Sequence, residues 1–170
     1  MEGLTHAPII TRSRPLHRTH QLQRRQFLPF TREEAWAFFS AAANLGKITP
    51  PDMGFHIRSM HPAQGISEGQ RITYTVRPLF GVPLRWVTAI TRVEAPHTFT
   101  DEQLKGPYAL WRHTHSFEAV PGGTVVIDQV EYRMPLGPLG ELAWRLFVRK
   151  RLDQIFDFRQ RALQELFPNR

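Results

Sequence analysis

Trp111, His113 and His115 fall at alternate positions of a run, residues 108–120, that reads as a β-strand. Side chains two apart on a strand share a face, so one indole and two imidazoles line up together, with Phe117 next in the row. A solvated face rarely carries an indole and a phenyl ring, and a plain core rarely carries two imidazoles. Together they describe the wall of a cavity that is mostly apolar with a few polar groups. Imidazoles in such a wall offer three kinds of chemistry: metal ligation, proton transfer with a carboxylate, or orientation of a bound molecule by hydrogen bonds.

Each kind needs partners. On the run 124–134, Asp128 alternates with Val126, Val130 and Tyr132, which places its carboxylate on an inward face. A buried carboxylate needs a partner, and His113 or His115 on the adjacent strand supplies one. Such a pair can move protons on a polyketide-like or other enolisable substrate. It can equally be a structural or ligand-orienting ion pair, and this reading is preferred because the identity of a pair does not establish catalysis. No catalytic residue is therefore assigned, and His113, His115 and Asp128 remain the candidates.

A metal held by His113 and His115 needs a third protein ligand. Asp128 and Glu131 lie on opposite faces of the next strand, so only one can reach, and no further histidine joins them. Neither a metal nor another cofactor is expected. The imidazoles then hydrogen-bond to strand neighbours or water. Asp101 and Gln103 share the inward parity of Phe99 on the run 98–104, whereas Glu102 faces the other way. Tyr74, Trp86, Trp111 and Tyr132 are the aromatic candidates for apolar contact, with core packing as the alternative for each. Arg112 alternates against Trp111 and His113 and should face solvent; Arg77 and Arg85 carry no clearer signal.

These side chains need a sheet to hold them. Residues 17–27 read as a first strand, and Thr31 with Glu34 forms a capping box that opens a helix ending near 40–42. A second short helix covers 43–48 and stops at the two prolines 50 and 51. Six further strands are expected at 55–61, 70–78, 82–94, 98–104, 108–120 and 124–134. Gly and Pro residues separate them, and connections this short imply sequential antiparallel hairpins. A long amphipathic helix follows over about 139–166, with Leu142, Leu146, Leu152, Ile155, Phe156, Ala162, Leu163 and Leu166 at helical spacing. The class is α+β: a curved sheet of seven antiparallel strands, two short helices after the first strand, and a long C-terminal helix covering the concave face. One helix cannot fill a strongly bent sheet, so a pocket is expected between them.

Length and charge narrow the functional classes. The 170 residues suit one domain, read as 16–168 behind a flexible leader of residues 1–15. The absence of cysteine excludes disulfides, thiolate metal sites and cysteine nucleophiles. No apolar run reaches the roughly 20 residues of a membrane span, and residues 1–15 lack the apolar stretch of a secretory signal. The expected location is the cytoplasm. The net charge of +7 sits at the ends: five arginines against one glutamate in residues 1–26, and seven basic against four acidic residues in 141–170. Residues 27–140 hold ten of each. The run 149–151 reads as a solvated helix face, and without a basic stripe interleaved with aromatics no nucleic-acid partner is expected.

The element order, together with the segments Asn44-Leu45-Gly46-Lys47-Ile48-Thr49-Pro50-Pro51, Gly106-Pro107-Tyr108-Ala109-Leu110-Trp111-Arg112-His113 and Pro135-Leu136-Gly137-Pro138-Leu139-Gly140, resembles the START/polyketide-cyclase (SRPBCC) superfamily over about residues 17–167. Within it, the chain is similar to a bacterial subfamily of ligand-binding proteins that occur alone or fused to nucleotide-sugar-epimerase-like domains. The resemblance implies a helix-grip fold and a small hydrophobic or aromatic ligand. An epimerase or oxidoreductase partner is implied as well. The superfamily spans lipid carriers, hormone receptors, cyclases and oxygenase subunits, so the fold does not fix an activity. The function expected is binding of a small, largely hydrophobic molecule between sheet and C-terminal helix, by Tyr74, Trp86, Asp101, Gln103, Trp111, His113, His115, Asp128 and Tyr132. The alternative is a cyclase, dehydratase or hydrolase using a His–Asp pair in the same cavity.

Overall fold

The structure, a computed structural model, describes residues 18–62 and 65–168. The expected leader lies outside the described residues. Strand β1 (Thr19–Leu28) runs into helix α1 (Arg32–Phe39). Here the Thr31 hydroxyl oxygen accepts from the Glu34 backbone N–H at 3.2 Å, and the Glu34 carboxylate accepts from the Thr31 N–H at 2.8 Å. These reciprocal bonds satisfy donors that a helix start otherwise leaves open. Thr31→Ala should therefore cost about 1 kcal/mol in urea unfolding, and Thr31→Ser should recover most of it.

The short helix expected next is a 3₁₀ helix, Ala42–Ile48, followed by a single 3₁₀ turn, Pro51–Met53. The remaining strands are β2 (His56–His61), β3 (Arg71–Val76), β4 (Leu84–Glu94), β5 (Thr98–Lys105), β6 (Leu110–Val120) and β7 (Gly123–Arg133). The seven form one sheet in the order β1-β7-β6-β5-β4-β3-β2, every pair antiparallel. Register shifts in β2–β3 and twice in β4–β5 mark bulges, which bend a strand and increase its twist. The sheet curls around its covering helix in a helix-grip arrangement.

That cover is one helical segment in three parts. Helix α2 (Pro138–Ala143) passes through a π-helical turn, Trp144–Val148, into helix α3 (Arg149–Leu166). Gly140, Val148, Leu152 and Phe156 are buried at multiples of four residues, with half-buried Trp144 between the first two. An α-helix of 3.6 residues per turn drifts away from such a row, and the wider π turn takes up the drift. The uninterrupted period assumed from the sequence is corrected accordingly. Leu142, Leu146 and Leu166, expected inside, are exposed, and Phe147 and Leu139 join them.

Nor is the basic run 149–151 uniformly solvated. Arg151 donates to Asp52 at 2.7 Å and to the Pro78 carbonyl at 2.9 Å, tying α3 to the rim of the sheet. The other end of the cover is held by His20, which lies 3.0 Å from Glu141 and stacks on Trp144 at 3.9 Å. Two of the three core clusters lie along α3, the third being Met53, Val76 and Trp86. Leu28, Phe39, Phe99, Phe117 and Leu163 pack under α1, while Leu22, Val130, Tyr132, Leu152 and Phe156 pack under the middle of α3. No helix among the described residues is long and apolar enough to cross a membrane.

Candidate functional site

Between the two packed regions the sheet and α3 stand apart, leaving a cavity of about 190 Å³. One end is aromatic. Trp86 meets Trp111 edge-on at 5.4 Å and Tyr108 at 5.7 Å, while Tyr74 stacks on Trp86 at 5.9 Å. The Tyr74 hydroxyl lies 3.2 Å from that of Thr88, and burial pushes both the Tyr74 and Tyr108 phenols well up. The Trp86 indole Nε1 is buried with no hydrogen-bond partner among the described residues.

The other end is ionic. Pairing sets Asp101 of β5 opposite His113 of β6, and His115 of β6 opposite Asp128 of β7. One acid therefore flanks the histidine row on each side, all four on inward positions. The close contacts run both diagonally and straight across. His113 Nε2 is 2.9 Å from Asp128 Oδ1, and His115 Nε2 is 3.2 Å from Asp101 Oδ2. His115 Nδ1 also approaches Asp128 Oδ1 to 2.9 Å. From α3, Arg159 Nη2 donates to the same Asp128 oxygen at 3.0 Å. Asp128 Oδ1 is thus the hub of the cluster. The rings of His113 and His115 lie 3.8 Å apart, and Phe99 stacks on His115 at 4.3 Å.

Burial alone would raise the Asp128 carboxyl, but the charge of Arg159 and the bonds from both histidines hold it well below the usual carboxylate range. For His115, burial opposes protonation, yet bonds to Asp101 and Asp128 outweigh it and the imidazole ends above its ordinary value. For His113, burial prevails, helped by the charge of His115, and the ring is pushed down. Of the two rings, His115 is thus the more readily protonated and His113 the less.

Tyr74, Trp86, Asp101, Trp111, His113 and His115 line the cavity. Three other expected ligand contacts do not. Gln103 is corrected to a turn clamp: its Nε2 donates to the Tyr108 carbonyl at 2.7 Å and its Oε1 accepts the Tyr108 N–H at 3.3 Å, because the chain folds back at residues 105–109. Asp128 sits behind the imidazoles. Tyr132 is turned toward the start of the covering helix, where its hydroxyl accepts from Trp144 Nε1 at 2.9 Å. Arg112 reaches Glu102 and Glu131 on the outer face, at 3.0 and 3.4 Å.

The sequence reading missed Tyr108 and Arg159. Arg159 left a signal: it stands three residues after Phe156 and three before Ala162, on the apolar stripe of α3. A cation at a core position of an amphipathic helix needs a buried acid, and Asp128 was already in view. For a third group beside His113 and His115, the sequence reading weighed only Asp128 and Glu131. Asp101 on β5 places a carboxylate oxygen beside them, with ligating atoms of the three residues within 4.8 Å of one another.

Solved structures share this architecture. The di-domain ARO/CYC protein BexL from the BE-7585A biosynthetic pathway superposes with a TM-score of 0.67 at 18% identity, over 89% of this chain and 51% of its own. The two share a fold. The protein TTHA0849 from Thermus thermophilus superposes at 0.63 and 17% identity, over 86% of this chain and 95% of its own. A nucleoside-diphosphate sugar epimerase from Corynebacterium glutamicum superposes at 0.60 and 26% identity, over 85% of this chain and 28% of its own. This chain thus spans about half of the ARO/CYC protein and about a quarter of the epimerase. No family model matches the sequence, and no curated protein does.

Proposed function

We propose that the domain binds a small, largely hydrophobic molecule in the cavity between the sheet and α3. The observation that carries this reading is a cavity with an aromatic end and an ionic end. Trp86, Trp111, Tyr74 and Tyr108 would hold the apolar body, while His113, His115 and Asp101 orient a polar group. Asp128 acts from behind, fixing the imidazoles. The orphaned Trp86 N–H adds a donor for an oxygen on the ligand, since a buried donor left unpaired is costly. Pockets of this mixed character suit small organic molecules.

Native mass spectrometry of protein purified from its own host should show a retained small molecule. With anilinonaphthalene sulfonate as a stand-in, Trp111→Ala and His113→Ala should each weaken binding about tenfold, near 1.4 kcal/mol, with folding intact by circular dichroism. Unchanged affinity in both variants would sink the reading.

A second reading is a cyclase, dehydratase or hydrolase, favoured by the 2.9 Å His113–Asp128 contact beside the cavity and by the ARO/CYC likeness in fold. Turnover of an aromatic polyketide or ester panel that is abolished by Asp128→Asn, with probe binding retained, would select it. The epimerase likeness supports a third element of the proposal, namely that the domain works beside an epimerase or oxidoreductase handling the same small molecule.

A further inference from the structure

We infer that Asp101, His113 and His115 form a site for one divalent first-row transition-metal ion, open on its remaining side to the cavity. Asp128 stands behind this site. Its Oδ1 lies 2.9 Å from His113 Nε2 and 2.9 Å from His115 Nδ1, and Arg159 Nη2 donates to the same oxygen. That acceptor draws the Nε2–H of His113 and so fixes its tautomer, while His115 Nδ1 sits between Asp128 Oδ1 and Arg159 Nη2, the latter at 3.3 Å. The opposite nitrogens, Nδ1 of His113 and Nε2 of His115, then turn to Asp101, at 3.8 and 3.2 Å from Oδ2.

Two imidazole lone pairs and a carboxylate oxygen converging in this way repel one another unless a positive charge lies among them. That charge is either a proton or a metal ion. Ligands held about 2.0–2.1 Å from a tetrahedral ion stand roughly 3.3 Å apart, close to the spacing of His115 and Asp101. Two histidines and one carboxylate suit zinc or iron, and three protein ligands leave a position free. The carboxylate behind the rings is the outer partner that metal-bound histidines usually have. Here one carboxylate serves both. The site does not depend on the ligand reading, since a metal would fill it whether or not an organic molecule occupies the cavity.

The test uses the whole protein, stripped with a chelator, exchanged into chelator-free buffer and titrated with Co²⁺ and Zn²⁺. One equivalent should bind, with visible Co²⁺ bands of a nitrogen- and oxygen-ligated ion and perturbed ring ¹⁵N signals from His113 and His115. Asp101→Asn should weaken binding about 100-fold or more, and Asp128→Asn about 10- to 100-fold. His56→Gln, on the exposed edge strand, should change nothing. The inference is overturned if the wild-type protein takes up no stoichiometric ion, or if Asp101→Asn binds as well as wild type. Should Asp101→Asn fail to fold, the wild-type ring signals decide: if Zn²⁺ leaves both unmoved, the site is a proton-bridged cluster only.

Discussion

Asp128→Ala will destabilise the metal-free protein by about 3–5 kcal/mol, several times the typical cost of a point substitution. The reason lies in what remains after the carboxylate is gone. Arg159 is buried with its Nε already unpaired, and its Nη2 would lose its carboxylate acceptor, leaving only His115 Nδ1 at 3.3 Å. His113 and His115 would each lose a contact of 2.9 Å. A buried guanidinium then faces apolar neighbours, including the Phe39 ring 5.1 Å from its central carbon, and water is poorly placed to help. Urea unfolding gives the number, and a loss below about 1 kcal/mol would mean that the cluster is effectively solvated. Combining the change with Arg159→Met should recover part of the loss, because the stranded charge is removed as well. Such non-additivity is the mark of a direct pair.

Gly140→Ala will cost about 3 kcal/mol, at the upper end of overpacking effects, and lower the melting temperature by about 6–12 °C. Gly140 is buried in the first turns of α2, and a methyl group there would overlap the carbonyl oxygen of Pro135 and press on Met134. Both obstacles belong to the reversal between β7 and the covering helix, where Leu136 and Gly137 already take positive φ values of 64° and 51°. The clash is with backbone, so no side-chain rotation relieves it. Calorimetry would settle the matter. A melting temperature within 2 °C of wild type, roughly 1 kcal/mol or less, would show that the reversal is pliable.

Much of this molecule is legible in its sequence. Alternation along 108–120 and 124–134 placed His113, His115 and Asp128 on inward positions because a strand has a period of two and no side chain can evade it. The capping box at Thr31 was equally plain, being chemistry between near neighbours. What stayed hidden depends on distance in the chain or on a broken period. Arg159 meets Asp128 only after α3 has docked. Gln103 shares the inward parity of Asp101, yet the tight return at 105–109 draws its amide to the backbone of Tyr108. The π turn at Trp144–Val148 leaves no sequence signature, and it determines which leucines of the covering segment reach water. The carboxylate nearest His115 besides Asp128 comes from β5, because strand pairing sets Asp101 beside the histidine row.

The placement of β1 bears on how this domain comes to exist at all. Its neighbour in the sheet is β7, with Thr19 opposite Arg133 and Leu28 opposite Thr124, so one of the earliest strands made must wait for the last. The hairpins from β2 to β7 can assemble as they emerge, but the sheet gains its final strand only when nearly the whole domain has left the ribosome. Closing so large a loop is entropically slow. During that wait β1, with Leu22 and Leu28 that later enter the core, is a free strand with no partner of its own. The burden on the cell is therefore one of timing, and chaperone binding to nascent chains is expected to concentrate on this first strand.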